Sequence, residues 1–239
     1  FTGTGDYGLK VGPFSISTGA FTLHNYSRGV NVLPTGLTAS RRWNVPGLNQ
    51  FYVVNNGTFE VSSGAVLTID PGVTLKFDTG GQLVIGAWGS SSNSGRLLAV
   101  GKVDSLITFT SLSGASNGWP GISFGDASDY NGATSQLTYC LVENAGLAGV
   151  SALKGNIICN TTSQPTMSNC TITKSADQGM YLNASTNAIS STTYSENAGT
   201  RDLYCVGSSP TLTNCTFLTG AHPGLEVDNP NSSKPTMSA

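Results

Sequence analysis

The chain has 239 residues, enough for one extended all-β domain or two ordinary ones. Only 10% of them are charged, against roughly 25% in an average soluble domain. The net charge of −2 gives no basic field, which argues against nucleic-acid phosphates and anionic membrane surfaces as partners. Ser and Thr number 58 and Gly 30, while Glu, Lys and Arg together number 15, a mix that favours strands and turns over helical bundles.

In chain order, residues 1–50 come first and stand apart. FTLHNYSRGVNVL and RRWNV read as strands, VGPF and PTG as turns, and His24 has no partner visible in the sequence. The segment is expected to be an N-terminal cap or the end of a preceding β module. A start at Phe1, without Met or a charged-then-apolar leader, reads as a processed or excised chain.

From Phe51 onward, short apolar segments recur every seven to ten residues: FYVV, TFEV, VLTI, VTLKF, QLVIG, RLLAVG and ITFTS. The pieces between them (NNG, SSGA, DPG, DTGG) are too short for helical crossovers and too evenly spaced for one flat sheet. A coil that sets each strand beside one from the previous turn satisfies both facts. The second half carries the internal repeat such a coil requires. QPTMSNCTI at 164–172 returns as SPTLTNCTF at 209–217, and KPTMSA at 234–239 begins the phrase again. QLTYCLVENAG at 136–146 and ISSTTYSENAG at 189–199 fill the coils between. On this alignment Cys140, Cys170, Tyr194 and Cys215 form one column.

A second column comes from GVSAL (149–153), GMYLN (179–183), DLYCV (202–206) and GLEVD (224–228). Period-2 alternation then turns Val150, Met180, Leu203 and Leu225 inward, together with Ala152, Leu182, Cys205 and Val227. The five cysteines read as core filler, since no CxxC or Cys/His spacing suggests a metal, and no metal or cofactor is expected. Disulfide pairing stays open, because Cys140 and Cys170 fall on adjacent coils.

These phrases resemble the right-handed parallel β-helix, specifically secreted bacterial proteins with pectate-lyase-like β-solenoid architecture. GTFEVSSGAVLTIDPGVTLKF, GRLLAVGKVDSLITFTS and GWPGISFG are similar to the opening coils of such proteins, and PTLTNCTF to their generic repeat. The resemblance covers roughly residues 51–239 and specifies fold more than function. Asn169 and Asn214 resemble the fold's stacked turn asparagines, with Tyr139 and Thr193 breaking the ladder in the other coils. KPTMSA starts a coil and stops, so the natural protein is expected to continue or to pack end-on against another copy, which would permit head-to-tail filaments.

The outward residues of the second column are Ser151, Tyr181, Tyr204 and Glu226. Asp202 and Asp228 lie at the ends of the same strands, and the preceding turns add Asp177, Arg201 and His222. Tyrosine faces suit sugar rings, and paired carboxylates perform acid/base hydrolysis when about 5–9.5 Å apart. Related lyases and hydrolases bind sugar chains along an outer strand face, so the resemblance permits a polysaccharide or cell-surface glycan as ligand of Tyr181, Tyr204, Glu226 and Asp177. It also permits catalysis by Asp202, Glu226, Asp228, Arg201 and His222. It implies a calcium-binding Asp cluster and an Arg or Lys base for a lyase, whereas Arg201 and Lys174 stand isolated here. A non-catalytic role is therefore the first expectation. Paired hydroxyls at Thr166/Ser168, Ser190/Thr192, Thr211/Thr213 and Thr236/Ser238 form a ladder that resembles ice-binding faces, interrupted by serines and Gln136. Seven sequons, at Asn25, Asn56, Asn160, Asn169, Asn183, Asn214 and Asn231, barely exceed chance, and turn stacking would make Asn169 and Asn214 unavailable.

The expectation is an all-β, secreted or surface-displayed right-handed parallel β-helix over 51–239 with an N-terminal β cap. It would serve as a structural, adhesive or matrix module, with polysaccharide binding or degradation as the alternative.

Overall fold

The computed structural model describes residues 9–13, 29–44, 51–90, 92–126, 128, 132, 134–150, 152–218, 222–228 and 233–239. Their strands are short, and each pairs in parallel with the strand one turn earlier. Leu9↔Val30, Val30↔Tyr52 and Tyr52↔Leu75 set the winding in one sheet. Among the described residues three sheets of nine, seven and eight strands run the length of the molecule, here called sheets I, II and III. Strands 30–32 and 52–54 lie in sheet I, and strand 41–43 pairs with 65–69 in sheet III, so residues before 51 supply strands to the same sheets.

Each turn visits sheets III, I and II in order. One complete turn runs Thr166–Ser168, Thr171–Thr173, Gln178–Asn183 and then Ala188–Ser190, back in sheet III. A chain of L-residues corners so sharply by placing a single residue in the left-handed region. Tyr139, Asn169, Ser191 and Asn214 (φ 47–54°) do this between sheets III and I, and Asn144, Lys174 and Glu196 (φ 53–64°) just after sheet I. At the remaining corner Thr162, Ala184 and Gly207 take the same conformation. Asn is the residue that tolerates it best after Gly. That accounts for Asn169 and Asn214, which are exposed corner residues rather than members of a closed ladder. Ser191, not Thr193, is their counterpart in the intervening coil.

Alternation along the strands sends every second residue inward, as in Ala65–Ile69 and Gly95–Val100. The inward side chains stack into one continuous core from Val30 to Leu212, with Cys215, Phe217, Leu225 and Val227 packed against it. All five cysteines are unbridged, four of them buried.

Two registers differ from the sequence reading. In sheet II the strand opposite Met180 and Leu182 is Gly155–Cys159, with Ile157 and Cys159 inward, not Val150 and Ala152. Gly149, Val150, Ala152 and Leu153 lie outside the strands instead. Val150 is 37% exposed, and its N–H donates to Gln82 Oε1 at 2.8 Å over the outside of the same sheet. In sheet I, Ile172 pairs with Tyr194 and Tyr194 with Phe217, so the residue in line with Cys170 and Cys215 is Thr192. Thr192 is fully buried and donates to Ser190 O at 3.0 Å. Cys140, Cys170 and Cys215 direct Sγ at the carbonyl two residues back in the same way, at 3.5, 3.3 and 3.7 Å. The column selects a small side chain with one donor, which both Cys and Thr provide.

The hydroxyl ladder of sheet III shifts with that register. Thr166, Ala188, Thr211 and Thr236 form one column and Thr138, Ser168, Ser190, Thr213 and Ser238 the other. Ala188 interrupts the first, and in the second the hydroxyls bond in pairs, Thr138 to Ser168 at 3.0 Å and Ser238 to Thr213 at 3.2 Å.

Candidate functional site

On the outside of sheet II the register aligns Ile158, Tyr181, Tyr204 and Glu226 on four successive coils. The loop at 149–150 stands over Gln82, which in turn donates to Ser123 Oγ at 2.8 Å, so the earlier part of this face is covered. Ile158 is buried, whereas Tyr181 and Tyr204 are half-buried and open the uncovered part. His24, Ser151, Asn25 and Asn231 lie outside the described residues.

Neighbouring coils set the two tyrosine rings edge to face, with centroids 5.2 Å apart at 86°. Arg201 enters from the preceding corner and lays its guanidinium 4.0 Å from the centre of the Tyr204 ring. The same side chain donates from Nη2 to Glu226 Oε1 at 2.8 Å. Tyr204 donates its hydroxyl proton to Asp228 Oδ2 at 3.0 Å. Tyr181, Tyr204, Arg201, Glu226 and Asp228 therefore form one connected cluster.

The charges settle accordingly. The hydrogen bond from Arg201 holds Glu226 below the ordinary carboxylate range. The same bond raises the Arg201 value. Burial, then the charge of Asp228, raises Tyr181. Burial and the bond to Asp228 raise Tyr204. At neutral pH the phenols keep their protons and Glu226 is an anion. A glycosidase general acid needs the opposite shift, a carboxyl held protonated.

The other expected members sit elsewhere. Asp202 is 1% exposed and accepts from Asn197 Nδ2 at 2.7 Å, so it belongs to the interior and not to the outer carboxylates. His222 approaches the backbone, Nε2–H donating to Asn197 O at 2.6 Å. Asp177 shapes its own corner, where its Oδ1 accepts from Gln178 N at 3.1 Å.

Two polar features were invisible in the sequence. Asn156 and Asn197 are buried, and their amides serve backbone on their own and neighbouring coils. Asn156 accepts from Ala145 N and donates to Thr173 O, and Asn197 accepts from Ser175 N. On sheet I a groove runs past Lys76, Thr110, Glu143 and Lys174, in which Thr110 donates to Glu143 at 3.0 Å and Lys174 lies 3.8 Å away. The outward register Lys76–Thr110–Glu143–Thr173 was the signal that could have found it, once strand pairing was known. Among the described residues no group of three His, Cys, Asp or Glu is placed to hold a metal ion, and no helix is long and apolar enough to cross a membrane.

The model of the family described as right handed beta helix region matches residues 98–238. The chain belongs to this right-handed β-helix family. No curated protein and no solved structure matches it. The match spans every coil that carries the tyrosine cluster, so the cluster is a feature of the β-helix itself and not of an appended segment.

Proposed function

We propose that this β-helix is a non-catalytic extracellular or cell-surface module, a rigid adhesive element whose tyrosine face contacts glycans. One observation carries the reading: the rings of Tyr181 and Tyr204 lie side by side on the outer face while Glu226, Arg201 and Asp228 are engaged with each other and with Tyr204. Such a surface offers apolar ring faces and fixed polar edges to a sugar, and its ionised Glu226 favours contact over proton donation. The low charge of the chain and its uninterrupted core suit a stiff spacer that holds this face away from its attachment point.

The test is a glycan-array screen of the chain and of a Tyr181→Ala/Tyr204→Ala variant, run beside a reducing-end and unsaturated-product assay on acidic and neutral polysaccharides. Binding that disappears in the variant, without product, is the expected outcome. Product formation abolished by Glu226→Gln would make the protein an enzyme and overturn the proposal. A chain that binds no glycan would lose the adhesive face and retain only the spacer role.

A further inference from the structure

The cysteines are distributed unevenly over the coils. In sheet I, Thr192 separates Cys170 from Cys215, and in sheet II, Leu182 separates Cys159 from Cys205, which puts each of those pairs two coils, about 10 Å, apart. Cys140 and Cys170 alone stand on adjacent coils in register. The pairing is fixed from both sides, by Thr138↔Ser168 before them and Leu141↔Thr171 after them. Adjacent strands lie about 4.8 Å apart, inside the roughly 4.4–6.8 Å window of Cα separations that a disulfide spans. Both side chains point into the core beside the III-to-I corner, where each Sγ lies 3.3–3.5 Å from two carbonyl oxygens.

We propose that Cys140 and Cys170 are a cross-coil disulfide site, closed by a small-molecule disulfide such as oxidised glutathione while the coils wind and the thiols are still accessible. Once wound, the two thiols differ: burial pushes Cys140 up, and the contact with Cys140 lowers Cys170. While the thiols are still accessible, either one can attack first. Its thiolate cleaves the oxidant's S–S bond, forming a mixed disulfide and releasing one thiolate, which takes up a proton. The other cysteine then loses its proton and displaces the second thiol, forming the Cys140–Cys170 bond. Two S–H bonds are exchanged for one S–S bond, and the oxidant is reduced to two thiols. Cys205, whose thiol burial pushes up to about 12, has no partner on either neighbouring coil and stays reduced. This inference does not depend on the glycan reading.

The experiment equilibrates the native chain, and in parallel refolds the chain from denaturant, in glutathione buffers of rising oxidised fraction. Each sample is then quenched with an alkylating agent under denaturing conditions and mapped by mass spectrometry. Of the five thiols, three are expected to be alkylated at the oxidising end, namely Cys159, Cys205 and Cys215, with one bridged peptide pair containing Cys140 and Cys170. Cys140→Ser and Cys170→Ser are each expected to leave four alkylated thiols and no bridge. Five alkylated thiols at every ratio in both arms overturn the proposal, as does a bridge that includes any other cysteine or a glutathione adduct that is never resolved. Mapping the unsubstituted chain decides the matter even where a variant fails to fold.

Discussion

The early coils and the late coils solve one problem with different materials. Around residues 43–124 the interior is filled by large rings: Trp43 stacks on Phe59 at 5.3 Å and 1°, and Phe77 on Trp119 at 4.1 Å and 8°. Their strands reach five or six residues, as in Gly57–Val61 and Gly95–Val100. From residue 134 on, most strands shrink to three or four residues, and buried Asn156, Thr192, Asn187 and Asn197 join the core. One ring stack persists there, Tyr194 on Phe217 at 4.9 Å. Long strands carry enough ladder bonds to fix the winding and leave the interior to dispersion and the hydrophobic effect. Short strands joined by one-residue corners strand more backbone groups inside, and amides and hydroxyls are drawn inward to satisfy them.

The strongest test of the contrast is Trp119→Ala. It removes a fully buried ring stacked on Phe77 together with the Nε1–H bond to Glu143 O at 2.9 Å. A loss of about 3–5 kcal/mol is expected in urea unfolding. A loss below about 1 kcal/mol would mean that the aromatic stacks do not carry the early coils.

Asn197→Ala probes the other material. The amide serves Ser175 N–H, Ile172 O and Asp202 Oδ1, and its removal leaves a backbone donor and a buried carboxylate without partners. About 2–3 kcal/mol is expected to be lost, with hydrogen exchange accelerating first at Ser175 and its coil neighbours. Uniform acceleration over the whole chain would show that the amide's contacts do not act locally. Thr192→Val is smaller again. It keeps the volume and removes one buried hydroxyl bond, costing about 1 kcal/mol. Thr192→Cys should cost less than Thr192→Val, since a thiol makes the same contact in the three neighbouring positions of the column.

The sequence disclosed the winding, the direction of the faces and the tyrosine stack, because alternation and repeated phrases survive without coordinates. It misplaced what alternation does not encode. A two-residue slip keeps every inward residue inward. Tyr194 and Thr192 were therefore interchangeable, and superposing the shared ENAG of the two coils does not choose between them, because it sets Thr193 opposite Cys140. GVSAL and GNIIC are both short apolar runs. What separates them is that Gly155–Cys159 is buried on both faces, a property of the loop and coils around it and not of its own residues. Asp202 failed as an outer carboxylate for a similar reason. It precedes the strand, where the chain is still turning the corner and parity has not begun to apply.

The smallest effect concerns the outer cluster, and it separates surface from core. Glu226 is 38% exposed in its side chain and Arg201 23%, so water screens their ion pair and its contribution stays under about 1 kcal/mol. Its pH dependence is nevertheless specific. The folded-state value of Glu226 is depressed, so its contribution is fully present above the unfolded carboxylate value of about 4.3. It is lost as pH falls through the depressed value. Wild type and Glu226→Gln should differ in unfolding midpoint at pH 7 and converge as pH falls below about 4.3 and on through the depressed value. A gap that persists in acid would assign the difference to contacts of the residue 226 side chain that no proton can switch off, and the cluster would then belong with the core in its energetics.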